Sequence, residues 1–92
     1  MSKTIDSIQK VAVTTTAKDI DVNCRHFIIE NLDDSATVYF KEKKYDNTAV
    51  TADNGFAIPP NTVLDMVFTA HTLSIKGSAS ADVRLMYVME EI

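Results

Sequence analysis

The chain has 92 residues, 46% apolar and 24% charged, with nine basic and thirteen acidic side chains and a net charge of −4. So short a chain supports one core, because its apolar side chains divided between two would not offset the entropy of folding. The composition lies well away from that of disordered chains, and the acidic balance disfavours a sequence-independent grip on nucleic-acid phosphates.

No stretch keeps helical spacing for three turns, whereas β-branched and aromatic residues recur in short runs between turn formers. The sequence therefore predicts an all-β protein. The mostly polar residues 1–7 are expected to form a flexible N-terminal arm or, as the alternative the sequence leaves open, to order against a neighbouring subunit, and residues 8–92 a single β-sandwich domain. The start of the chain has no apolar core of a signal peptide, and no run approaches the roughly 18 apolar residues of a membrane-spanning helix. A cytosolic product with no membrane partner is expected.

Strands are predicted over 8–16, 26–32, 36–41, 48–52, 62–68, 72–76 and 83–89. About seven strands imply a small antiparallel β-sandwich or a jelly-roll-like barrel. Asn31-Leu32-Asp33-Asp34-Ser35 forms a turn between two apolar runs, and Asp53-Asn54-Gly55 supplies residues that tolerate positive φ. Pro59 and Pro60 lack backbone donors and push Ile58 towards an extended conformation, so 57–61 reads as a stiff connection across one end of the sandwich. Asn61 or Thr62 could cap a helix, but Val63, Val67, Phe68 and Thr69 favour a pleated surface, and a strand is predicted there.

Candidate chemical sites do not assemble. Cys24 is the single cysteine, so no intrachain disulfide is possible. Cys24, His26 and His71 lack the spacing of zinc ligands and read better as a small thiol and ordinary histidines. A Cys-His nucleophile pair has no orienting third group or oxyanion hole. The neighbouring carboxylates Asp33 and Asp34, and Glu90 and Glu91, diverge on an extended chain and read as solvated turn and tail charges. Lys41-Glu42-Lys43-Lys44-Tyr45, with Tyr39 nearby, reads as a solvated hairpin end whose lysines discourage edge pairing. Gly55 and Gly77 are the only glycines and are too far apart for a phosphate-cradling loop. The expectation is a protein that is not an enzyme and has no catalytic, cofactor or metal site.

The informative feature is apolar character on both faces of a strand. Val83, Leu85, Tyr87 and Met89 alternate onto one face and leave Arg84, Met86 and Val88 on the other. Phe27 and Ile29 likewise oppose Ile28 and Leu32. Either a loop or the N-terminal strand covers the second face, or that face meets another protein; the sequence leaves both open. Ile28, Arg84, Met86 and Val88 are the candidate interface residues.

From Asn54 onward the order is Asn54-Gly55-Phe56, Ile58-Pro59-Pro60-Asn61, an apolar strand ending in Phe68, then Thr72-Leu73-Ser74-Ile75-Lys76-Gly77-Ser78-Ala79-Ser80-Ala81-Asp82-Val83-Arg84-Leu85. This order resembles the small β-sandwich accessory proteins of tailed bacteriophage virions, in which a turn and a proline loop precede a strand and a small-residue turn leads into a final strand. With the hairpin from Phe27 to Phe40 the likeness covers roughly the last two thirds of the chain, with Asn61 where glycine is more frequent. It implies a structural virion protein, a capsid decoration or cement protein that binds the shell through apolar strand faces and stabilises it. The implied partners are other virion proteins, the major capsid protein first, and further copies in a homo-oligomer. The implied location is the capsid surface, after synthesis in the host cytoplasm. A head-tail connector or tail structural protein would use the same fold. A carbohydrate or cell-surface binding module is the alternative from another class, although there is no Trp and Tyr39, Tyr45 and Tyr87 are dispersed.

Overall fold

Alternating apolar residues set most of the strands in the computed structural model, which describes residues 3–44 and 46–89, with side chains over 8–44 and 46–88. Among the described residues there are eight: β1 (Lys3–Val13), β2 (Lys18–Cys24), β3 (Phe27–Asn31), β4 (Val38–Glu42), β5 (Phe56–Ile58), β6 (Thr62–Met66), β7 (Ala70–Gly77) and β8 (Ala81–Met89). They form two four-stranded antiparallel sheets, here sheet A in the order β1-β8-β3-β6 and sheet B in the order β2-β7-β4-β5. The expected all-β sandwich is the fold found.

The pairing follows from a single operation. β1 pairs with β8, β2 with β7, β3 with β6 and β4 with β5, as in one long two-stranded ribbon whose tip is the segment 43–55. Rolling that ribbon over itself lays β3 beside β8 and β4 beside β7, and so closes each sheet. This is the strand order of a jelly roll.

The core lies between the sheets and is filled by alternate residues of both. Phe27, Ile29, Val83 and Leu85 from sheet A meet Val22, Val38, Phe40, Leu73 and Ile75 from sheet B, all at 1% exposure or less. Burying each such side chain is worth about 1.5–3 kcal/mol, which is what orders the sheets. Phe27 joins the layers directly. Its ring stands edge-on to Phe40 at 5.9 Å and to Phe68 at 5.3 Å, the geometry that aromatic quadrupoles favour. At one side, the Tyr87 hydroxyl donates across the sandwich to the Asp21 carbonyl at 3.4 Å.

Asn31 is the exception in this apolar layer. It is fully buried, and its Nδ2 donates to the carbonyls of Ala36 (2.8 Å), Ile58 (3.0 Å) and Pro59 (3.2 Å), while Oδ1 accepts from the Asp33 amide at 3.0 Å. One side chain thus fixes two chain reversals at the same end of the sandwich, β3 to β4 and β5 to β6. Asn61, where glycine was noted as more frequent, has φ 55° and occupies the left-handed region that asparagine tolerates better than most residues.

Several boundaries differ from expectation. Residues 3–7 of the expected arm belong to β1, because β8 offers a long ladder of backbone partners: Lys3 lies opposite Met89, Thr4 opposite Val88 and Ile5 opposite Tyr87. Met1, Ser2, Tyr45, Glu90 and Glu91 lie outside the described residues. β2 was not anticipated, although Ile20, Val22 and Cys24 alternate there with Asp19, Asp21 and Asn23. A bulge between Asp21 and Cys24, with Asn23 at φ 41°, ends its regular pairing. The strand expected over 48–52 is a loop, and Phe56–Ile58 takes its place as the short edge strand β5. The stretch after the prolines is a strand, as expected, and not a helix.

Candidate protein interface

β8 carries the site because alternation forces its side chains apart. Val83, Leu85 and Tyr87 enter the core, so Arg84, Met86 and Val88 project from the outer face of sheet A. In the neighbouring β3, Phe27, Ile29 and Asn31 point inward, and Ile28 and Glu30 point outward. The register sets Met86 directly opposite Ile28 and Arg84 opposite Glu30. All four candidates named from sequence therefore stand together on this face.

The flanking strands add two residues that the sequence did not single out. In β6, Val63 lies opposite Glu30 and is 53% exposed. In β1, Ile5 faces Tyr87 and Gln9 faces Leu85, so four steps along β1 span two along β8; within this bulge Ile8 is left 64% exposed. Val88 is 41% exposed. A shallow depression of about 80 Å³ lies between these side chains, lined by Ile8, Ile28, Glu30, Val63, Arg84 and Met86 with Leu85 beneath. The N-terminal strand lies beside β8 in the plane of the sheet, so it does not cover this face.

Sheet B is treated differently. Lys41 and Ser74 face each other on its outer surface, yet both are buried. The Lys41 ammonium donates to the Asp46 carbonyl (2.9 Å), the Thr48 carbonyl (2.8 Å) and the Thr48 hydroxyl (2.9 Å), and the Val50 amide donates to Ser74 Oγ at 3.0 Å. The β4–β5 loop is thereby drawn across the outside of sheet B. The Asp46 carboxyl is held below its ordinary value by the Thr48 hydroxyl, then by the Thr48 amide, with Lys41 adding to both. Gly55 is required here for clearance and not for positive φ: a Cβ would come within 2.5 Å of Val50 Cγ2 and 2.7 Å of the Phe40 carbonyl oxygen.

The remaining chemical candidates are taken up by the fold. In the basic cluster, Lys43 pairs with Asp19 at 2.8 Å, and Glu42 accepts from the Lys44 and His71 amides. Cys24 is buried opposite Ala70, whereas His26, in the β2–β3 connection, is exposed and meets Asp65 of β6. His71 follows Ala70 and so points to the opposite side of sheet B from Cys24. Cys24, His26 and His71 do not converge. Among the described residues, no group of three His, Cys, Asp or Glu side chains gathers to hold a metal ion.

A larger open depression of about 340 Å³ lies at the end of the sandwich where β1, β3 and β8 meet their loops, with Asp33 and Asp82 on its rim. Both carboxylates are engaged. Asp82 accepts from Arg84 at 2.6 Å, and Asp33 accepts from the Ala36 and Ser35 amides and the Ser35 hydroxyl. Those donors, the Ala36 amide foremost, hold the Asp33 carboxyl below its ordinary value.

No family model, no curated protein and no solved structure matches the chain. What remains to interpret is the contrast between two outer sheet faces, one roofed by a loop and one carrying exposed apolar side chains.

Proposed function

We propose that this protein is a structural module of a tailed-bacteriophage virion, a capsid decoration or cement protein that packs the outer face of sheet A against the major capsid protein. The single observation that carries the reading is the asymmetry of the sandwich: the chain folds its longest loop over sheet B and leaves Ile8, Val63 and Val88 exposed on sheet A. Exposed apolar side chains spread over one sheet face, on β1, β8 and β6, offer a docking surface, since each Val or Ile buried on association contributes about 1.5–3 kcal/mol before the cost of association. The jelly roll is used for shell building elsewhere, although a fold alone does not assign a role. The virion itself enters through the resemblance described above. A connector or tail position would use the same surface with another partner.

The test is sedimentation with purified shells lacking the protein. The wild-type chain is expected to pellet with shells, and Met86→Asp or Val88→Asp to weaken that binding at least tenfold while leaving the β signal in circular dichroism intact. A wild-type chain that binds neither shells nor tails refutes the virion reading. Unchanged binding by both variants removes this face from it.

A further inference from the structure

The chain has five asparagines, Asn23, Asn31, Asn47, Asn54 and Asn61, and only Asn54 is followed by a glycine. That order matters because the main-chain nitrogen of the following residue is placed to attack the asparagine side-chain carbonyl, and a Cβ on that residue crowds the approach. Gly55 has none. Its amide donates no hydrogen bond among the described residues, so no bond has to break before it reacts, and Asn54 is exposed to water. The Asn54 side chain is meanwhile held in place by the β4–β5 loop: Oδ1 accepts from the Thr51 amide at 2.7 Å, and Nδ2 donates to the Ala49 carbonyl at 3.2 Å. The Thr51 N–H is thus aimed at the oxygen on which negative charge develops when Cγ is attacked, the disposition by which a main-chain amide stabilises an oxyanion.

We infer that Asn54 is a site of spontaneous covalent conversion to isoaspartate, promoted by the fold, and that its product releases the loop that roofs sheet B. The Gly55 nitrogen gives its proton to hydroxide and bonds to Asn54 Cγ. The Cγ–Nδ2 bond then breaks, and Nδ2 takes a proton from water and leaves as ammonia, so that a five-membered succinimide remains. Water opens this ring in one of two ways. Attack at Cγ returns the main chain to its original path with aspartate at 54, whereas attack at the main-chain carbonyl leaves the chain running through the former side chain, as isoaspartate. Only water is consumed and only ammonia released, and no oxidant or reductant takes part.

Isoaspartate lengthens the main chain by one carbon immediately before Gly55, where space is shortest: even a Cβ on Gly55 would come 2.5 Å from Val50 Cγ2 and 2.7 Å from the Phe40 carbonyl oxygen. It also removes the amide that bridges Ala49 and Thr51, the two neighbours of Val50. Val50 is the point at which the loop is fastened to the sheet, since its side chain is buried and its amide donates to Ser74 Oγ. With the bridge gone and Gly55 displaced, Val50 lifts and water reaches Ser74 and Lys41. The outer face of sheet B therefore opens as the molecule ages, and it does so independently of what sheet A binds.

The test incubates the full chain at neutral and at mildly alkaline pH, folded and in urea, and follows it by intact mass and by peptide mapping that separates isoaspartate from aspartate. The expected result is a mass gain of about one dalton, located at Asn54. In the folded chain it forms at least ten times faster there than at any other asparagine, at least as fast as in urea, and faster in proportion to hydroxide. Asn54→Gln, which would have to close a six-membered ring, abolishes the gain and leaves the circular dichroism unchanged. In the converted chain, separated by its added negative charge, the Val50 amide exchanges at least tenfold faster while the β7 amides keep their protection. Conversion at Asn54 that is absent, or slower in the folded chain than in urea, overturns the proposal, because the fold then guards the amide. A mass gain that persists in Asn54→Gln, or Val50 exchange that is the same before and after conversion, overturns it as well.

Discussion

Replacing Asn31 by leucine, which branches at the same carbon but ends in two bulkier methyl groups, tests whether the buried amide holds one end of the sandwich together. The change deletes an Nδ2 that serves three carbonyls and an Oδ1 that serves one amide, all in or beside the core. An amide has two protons, so one of the three donations is shared, and about three strong bonds are lost. Each buried group left without a partner costs about 1–3 kcal/mol, and the added apolar side chain returns about 1–2 kcal/mol of that. The net expectation is a loss of about 3–5 kcal/mol, a large part of the roughly 5–15 kcal/mol by which a domain is stable. Urea denaturation followed by circular dichroism measures it, with the slope of the transition unchanged. Hydrogen exchange should quicken first at Asp33, whose amide loses its acceptor. A loss below about 1 kcal/mol would refute the reasoning, because the freed carbonyls would then have found water or new donors without strain.

Lys41→Met keeps an unbranched apolar stem, one atom shorter, and removes the three donations that draw the β4–β5 loop over sheet B. The expected cost is about 2–4 kcal/mol, with the Val50 amide losing protection against exchange before the β7 amides do; equal protection would show that the loop is held by Val50 packing alone. Acid should act through Asp33 and Asp46, both of which titrate below their ordinary value of 3.8 in the folded chain. A depressed folded value means that the stabilisation is present above the unfolded value and is lost as pH falls through the folded one. Denaturation midpoints should therefore fall as pH drops below the ordinary value of 3.8, and fall less in Asp33→Asn; identical pH profiles for the two proteins would exclude a contribution from Asp33.

How much of this was legible depends on where each residue takes its instructions. β3 and β8 were readable because both of their faces carry apolar residues, so alternation and β propensity agree. β2 was missed because Asp19, Asp21 and Asn23 are poor strand formers, although the period-two pattern of Ile20, Val22 and Cys24 was present. Residues 48–52 misled in the opposite sense. Their threonines and valine have strand character, but Val50 is placed by the gap at Gly55 and by the Ser74 hydroxyl, and the Ser74 contact is distant in sequence. For the site, Ile28, Arg84, Met86 and Val88 could be named from alternation alone. Ile8 could not, because its exposure depends on a bulge that exists only against β8.

The sequence by itself determined an all-β chain with one core and a final strand apolar on both faces, since these are matters of composition and of a two-residue period. Which face stayed open was decided only in three dimensions. Lys41, read in the chain as a solvated charge, is buried by a loop that returns to it, and the β1 that could have roofed sheet A joins its edge. Both outcomes depend on pairings between residues far apart in the chain, and a local pattern carries no record of its distant partner.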